Sequence, residues 1–375
     1  MEVYLDNSAT TSVCPKAKEY MISAIDKLWG NPSSLHQKGI DAESLLGDAR
    51  KQAAHLLGCT EKEIIFTCGG TQGNNIAVFG AAHAMKRRGN RIITTSVEHP
   101  SVSKAFDRLE QEGFEVIRLP VDKYGLADLD SLQSAVNQST VLVSMMAVNN
   151  ELGTIEPIDK VKDIIKKANS PALFHVDAVQ AFGKIELNVK KIGADLMTVS
   201  SHKIHGPKGA GALFVKSGVR LVSPVVGGEQ EWEIRPGTEP MPAIAGFLGA
   251  MQSLEIKQSL ESITALRDDF ITKLRQIDGV IINSGEKALP YIVNISLPGL
   301  PSEAVLNLLS DMDIYVSSGS ACAKGHKSPV LTAAGLDSSI VNSSIRISMS
   351  RFTTQNELEL LLDGLKTALK VIRRR

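Results

Sequence analysis

Two apolar runs between Phe174 and Lys203 constrain this chain more than any other feature in it. The first reads Phe174-His175-Val176-Asp177-Ala178-Val179-Gln180, the second Ala194-Asp195-Leu196-Met197-Thr198-Val199-Ser200-Ser201-His202-Lys203, and each stops abruptly in a polar cluster. Strands look like this when both faces of a parallel sheet are covered and their carboxyl ends open on a crevice. The pattern recurs. Glu63–Thr67, Arg91–Thr95, Glu115–Leu119 and Val141–Val148 also read as strands, with helical stretches between them. Such alternation predicts βα units, a mainly parallel sheet and polar groups gathered at the strand ends. With 375 residues, and domains typically ~100–200 residues long, two domains are expected.

The strand ends deliver Asp177 and Lys203, the lysine flanked by Ser200, His202 and Gly206-Pro207-Lys208-Gly209. A lone lysine is ordinarily a solvated surface charge, and an Asp at a strand end is ordinarily a helix cap. The pair at one sheet edge says more. Pyridoxal phosphate (PLP) needs a lysine for its Schiff base and a carboxylate that keeps the pyridine nitrogen protonated, so that the ring can accept electrons. Upstream, a strand runs into Cys68-Gly69-Gly70-Thr71-Gln72-Gly73-Asn74-Asn75 and then an apolar helix. A glycine turn at a helix N-terminus is an anion site, and this one has the spacing of neither a dinucleotide loop nor a Walker loop.

His175-Val176-Asp177-Ala178-Val179-Gln180 and Ser201-His202-Lys203-Ile204-His205-Gly206-Pro207-Lys208-Gly209 resemble the cofactor motifs of the cysteine desulfurases, the NifS/IscS-like branch of the class V aminotransferases. The likeness extends along the chain. It takes in Leu5-Asp6-Asn7-Ser8-Ala9-Thr10-Thr11, Gly30-Asn31-Pro32-Ser33-Ser34-Leu35-His36, the glycine turn, Glu98-His99, Gly227-Gly228-Glu229-Gln230-Glu231 and Arg235-Pro236-Gly237-Thr238. Departures are Ser12 for a proline, Cys68 for a serine and Gln72 for a glutamate. The resemblance implies an α/β fold of PLP fold-type I. A large domain over residues 15–257 would hold a mainly parallel, seven-stranded type of sheet flanked by helices. A small α+β domain would be built from residues 1–14 and 258–375.

It also implies roles. Gly70 and Thr71, with Ser200 and His202, would hold the PLP phosphate, joined by Thr238 from the neighbouring subunit of an obligate homodimer. His99 would lie against the ring and assist proton transfer. Asn150 (or its neighbour Asn149) and Gln180 would meet the phenolic oxygen, Asp177 the ring nitrogen, and Lys203 the aldehyde carbon. Arg346, in Ser344-Ile345-Arg346-Ile347-Ser348, would grip the substrate carboxylate with its planar fork, while Arg351 is structural.

Ser317-Ser318-Gly319-Ser320-Ala321-Cys322 matches the family's cysteine loop without change. Small residues let such a loop swing, and Lys324, His326 and Lys327 would lower the thiol pKa. Cys14, Cys59 and Cys68, in apolar or tight-turn contexts, are expected to be buried and inert. After Cys322 the loop is about two residues shorter and more basic than the family's common version. The reaction implied is L-cysteine to L-alanine, with the sulfur carried as a Cys322 persulfide to an Fe–S scaffold or a tRNA-thiolation protein. Rival readings are a class V aminotransferase or lyase for another amino acid, which would not need Cys322, a selenocysteine lyase, and a non-catalytic PLP-binding partner.

Composition excludes other classes. The 41 basic and 41 acidic residues balance, which argues against direct nucleic-acid or membrane-surface binding. No apolar run reaches the ~18 residues of a membrane span. Scattered cysteines suggest no metal site, and the absence of a recognisable leader at Met1-Glu2-Val3-Tyr4-Leu5-Asp6 points to a reduced cytoplasmic location.

Overall fold

Strand residues that alternate between two separate cores set the architecture. The computed structural model describes residues 2–318 and 328–372. After β1 (Val3–Tyr4) come seven strands of one sheet: β2 (Ile64–Thr67), β3 (Arg91–Thr95), β4 (Glu115–Leu119), β5 (Thr140–Met146), β6 (Leu173–Asp177), β7 (Leu196–Ser200) and β8 (Gly211–Val215). Their order is β2-β8-β7-β6-β5-β3-β4. Ile65, Ile92, Leu142, Leu196 and Leu213 pack on one side against the helices Gly70–Met85 and Pro100–Gln111. Ile64, Phe66, Ile93, Val143, Phe174, Met197 and Phe214 face the other core, where Pro15–Lys27, Gln37–Leu57 and Met241–Gln252 close over them. Period-two alternation with both faces covered is why these strands read as nearly continuous apolar runs.

Pairing is parallel from β4 through β7, and β8 runs against both its neighbours, β7 and β2. The carboxyl ends of β2, β3, β5, β6 and β7 therefore open on one edge. The rest of the chain forms an antiparallel sheet of β9 (Ile281–Ile282), β10 (Ile292–Ser296) and β12 (Ser344–Ser348), in the order β12-β10-β9, and a parallel pair of β1 with β11 (Ile314–Tyr315). From β1 the chain crosses to the large sheet's open edge. Asn7 Nδ2 donates to Ser348 O at 2.9 Å, and Thr11 Oγ1 donates to His202 O at 3.0 Å, so this segment pins β12 to the end of β7.

The chain from Met241 to Leu274 forms two helices, Met241–Gln252 and Ile256–Leu274. Ser253 bends its hydroxyl back to Ala250 O at 2.8 Å, and the Arg351 guanidinium takes both Ser253 O and, at 2.7 Å, Ser253 Oγ. Those contacts divert the polar groups that would continue the helix. Cys68, expected to be buried, is exposed in the turn after β2, whereas Cys14 is buried and burial pushes the half-buried Cys59 thiol up to about 12. The Gly- and charge-rich stretch from Pro224 to Pro242 buries Glu231 and Arg235.

Candidate active site

The strand ends enclose a cavity of about 280 Å³. From the β2 turn come Gly70 and Thr71, from the loop after β3 His99, from that after β5 Asn150. The end of β6 adds Asp177 and Gln180, that of β7 Ser200, His202 and Lys203. Arg346 reaches in from the middle of β12 in the other sheet. Every expected pocket residue that the structure describes, except Thr238, thus lines one space. Asn149 does not: its amide is spent on Val97 O and on the Glu151 and Leu152 N–H groups, which leaves Asn150 as the one facing the cavity.

Hydrogen bonds hold these groups in place. Asp177 accepts from Val179 N at 3.0 Å and from Asn74 Nδ2 at 2.7 Å. Asn74 Nδ2 also donates to Ser101 Oγ at 2.8 Å, and that hydroxyl lies 2.8 Å from His99 Nδ1. Because the Ser101 N–H donates to His99 Nδ1, that nitrogen is the acceptor and the neutral ring carries its proton on Nε2. Burial, opposed by Asp177 and assisted by Lys203, lowers the His99 pKa, so the neutral form prevails at pH 7. Burial, then the charges of Lys203, Lys208 and Lys184, pushes His202 down to about 4. Glu98, beneath the His99 loop, is raised well above the carboxylate range by burial and by Asp177. Its Oε1 accepts from Thr95 Oγ1 and Met146 N, each at 2.8 Å, and ties the loop to β3 and β5.

Lys203 follows β7 in a single 3-10 turn, and its ammonium donates to the carbonyls of Ser8 and Ala9. His205, two residues on, is held at a φ of 67°, with its N–H on Thr11 Oγ1 at 2.8 Å. Such a left-handed residue costs about 1–2 kcal/mol and persists where its surroundings over-determine it. Arg346 is 1 % exposed. Its Nη1 donates to Asn150 O at 3.0 Å and its Nη2 meets Asp6 Oδ1 at 2.7 Å, while Nε has no partner among the described residues.

The aminotransferase class-V family model matches residues 3–361. The chain belongs to this family. It is 40% identical over 376 residues to the cysteine desulfurase IscS of Methanosarcina thermophila, covering 99% of this chain and 93% of that one. Among solved structures, a NifS-like protein superposes with a TM-score of 0.94 at 36% identity, covering 99% of this chain and 100% of that one. SspA, solved in complex with cysteine, superposes at 0.83 with 31% identity over 94% of this chain and 100% of its own.

Class-V enzymes work with PLP, and this pocket fits it. The cavity holds two buried hydroxyls with no partner among the described residues, Ser8 Oγ and Ser200 Oγ, the second at the anion end of the pocket beside the Gly70 helix start. A Cβ on Gly70 would lie 2.7 Å from Val179 Cγ2, so the cradle admits backbone only, and Gly69 adopts the φ of 143° that glycine tolerates. Bound PLP would supply an electron sink.

Thr238 is exposed and lies outside its own chain's pocket. Cys322, with Lys324, His326 and Lys327, lies outside the described residues. Among the described residues no cluster of His, Cys, Asp and Glu could hold a metal, and no helix is long and apolar enough to cross a membrane. The sequence reading missed Asn74, Ser101 and the Ser8 and Ala9 carbonyls. Asn74 had a signal: it lies four residues after Gly70, hence on the same face of that helix.

Proposed function

We propose that this chain is a cysteine desulfurase that converts L-cysteine to L-alanine. The observation that carries the reading is the convergence of Lys203, Asp177 and Arg346, from two different sheets, on one cavity. The curated relative named cysteine desulfurase and the neighbour solved with cysteine support the substrate. Gly70, Thr71, Ser200 and His202 would hold the PLP phosphate, Asp177 the ring nitrogen, Asn150 and Gln180 the ring oxygen. Arg346 would receive the substrate carboxylate, for which Asp6 on Nη2 is a stand-in at 2.7 Å. Lys203, drawn off the Ser8 and Ala9 carbonyls and present as the neutral amine, would take the Cα proton and become the ammonium. Neutral His99 presents its Nε2–H as a proton donor. The Cys322 thiolate attacks the substrate sulfur: an S–S bond forms, the C–S bond breaks, and its electron pair stays on the carbon fragment, which is protonated to alanine. The resulting persulfide passes to an Fe–S scaffold or a tRNA-thiolation protein in the cytoplasm.

Homodimerisation belongs to the same reading. Ile22 and Ile25 on the helix Pro15–Lys27 and Trp29 just beyond it are about half or more exposed, and Leu35, Val226 and Trp232 add further uncovered apolar surface. A second copy covering this surface would bring its Thr238 to the pocket. The test is Cys322→Ala loaded with PLP: alanine and sulfide production from cysteine should both be lost. Undiminished alanine release would overturn the assignment in favour of an enzyme that does not need this thiol.

A further inference from the structure

Lys184 is buried, and the mechanism leaves it unused. Its Nζ donates to Gln180 Oε1 at 3.0 Å, and Gln180 Nε2 in turn donates to Ser8 O at 2.9 Å. The same ammonium sits 5.8 Å from the centre of the Tyr291 ring. With Lys203, His205, Tyr291 and Arg351 it lines a second cavity of about 20 Å³, room for about one water, behind the lysine of the active site. The charges that face it are cations, Lys203 and Arg346, with the neutral imidazoles of His202 and His205 nearby. Burial, then those two charges, pushes Lys184 down to about 7. A buried amine whose side-chain hydrogen-bond partner among the described residues is one neutral amide is costly to keep.

We infer that Lys184 is the positioning residue for Gln180, fixing which end of its carboxamide faces the active-site cavity. The inference rests on the PLP reading and on the placing of Gln180 at the ring oxygen. A carboxamide has two ends of nearly equal size, and its partners choose between them. In its charged form the Lys184 amine can only donate, so it claims Oε1; a carbonyl can only accept, so Ser8 O claims Nε2. The second N–H of Nε2 is then left to meet an anionic oxygen. With Lys184 gone, only Ser8 O sets the sense, and that carbonyl is shared with Lys203. A flipped amide would present its own oxygen to the ring oxygen. An N–H donated to that oxygen, and below about pH 7 the positive charge of Lys184 behind it, both disfavour protonation of the lysine–cofactor linkage.

The experiment is the pH titration of the visible absorbance of the PLP-loaded protein, for wild type, Lys184→Met, Gln180→Ala and the double variant, with melting temperatures alongside. Lys184→Met should raise the midpoint by roughly one pH unit, as should Gln180→Ala, and the double variant should go no further than Gln180→Ala alone. Lys184→Gln, one atom too short to reach Gln180, carries the same expectation should the methionine variant fail to fold. If Gln180→Ala leaves the midpoint unmoved, the placing of Gln180 is wrong and the inference falls with it. A moved midpoint in Gln180→Ala but not in Lys184→Met overturns the role of Lys184 alone. Additive shifts, or a lower melting temperature with an unmoved midpoint, overturn positioning in favour of a plain charge or packing effect.

Discussion

Glu231 is where the stability of the Gly-rich stretch around Thr238 concentrates. Its carboxylate takes Arg50 Nη2 at 2.5 Å, Arg50 Nη1 at 2.7 Å and the Phe66 N–H at 2.8 Å, with none of the side chain exposed. Against that, Glu231, Trp232 and Glu233 are three consecutive left-handed residues, at φ of 49°, 52° and 62°. At about 1–2 kcal/mol each they cost ~3–6 kcal/mol. Breaking a buried pair costs about 3–5 kcal/mol. The two nearly cancel, so Glu231→Ala should release the loop locally rather than unfold the protein. Hydrogen exchange of amides between 224 and 238 should quicken by roughly two to four orders of magnitude, the Boltzmann equivalent of that pair. The exchange of β5 and β6 should stay near wild type. Measured by mass spectrometry on matched peptides, unchanged exchange in the loop, or equal loss of protection in the central strands, would refute the reasoning.

Burial holds His175 between Ser144 and Thr198 and pushes its pKa down to about 3, so the unfolded chain takes a proton that the native one refuses. Stability should therefore fall as pH drops from about 6.5 towards 3, by ~1.4 kcal/mol per unit from this group, and denaturant titrations of His175→Gln should show a shallower slope. Glu156, pushed up to about 8 by burial, has the opposite sign: the native state keeps a proton that the unfolded chain loses above about 4.3. Between pH 5 and pH 8 the Glu156→Gln protein should consequently lose less stability than wild type, which the same titrations check. Gly70→Ala, whose Cβ would meet Val179 Cγ2 at 2.7 Å, should weaken PLP binding by about tenfold or more in absorbance titrations. Arg346→Lys keeps a charge but loses the fork, and should raise the KM for cysteine about tenfold or more in steady-state assays, with a smaller effect on kcat.

Much of this site was legible because it lies at strand ends. Asp177, Lys203 and His99 each close an apolar run, so the run and the crevice could be read together; Arg91–Thr95 and Glu115–Leu119 were read with the boundaries the strands have. What was not legible depends on partners far apart in the chain. Ser253 breaks a helix because Arg351, 98 residues away, captures its carbonyl. Asn74 looks like a polar residue in a helix start until Asp177 and Ser101 close around it. Lys184 is one lysine among many in the sequence, and only the fold shows it buried behind Gln180. Glu231 reads as loop charge because nothing local indicates that Arg50 lies beneath it.

The central claim is that Lys203 and Asp177 form a PLP site that acts on L-cysteine. The direct measurement is the absorbance spectrum of the PLP-loaded protein before and after L-cysteine, with alanine quantified in the same sample and Lys203→Ala as control. The account predicts a visible band that depends on Lys203, changes on addition of cysteine and is accompanied by alanine. A protein that takes up no PLP, or a band that ignores cysteine and yields no alanine, would contradict it.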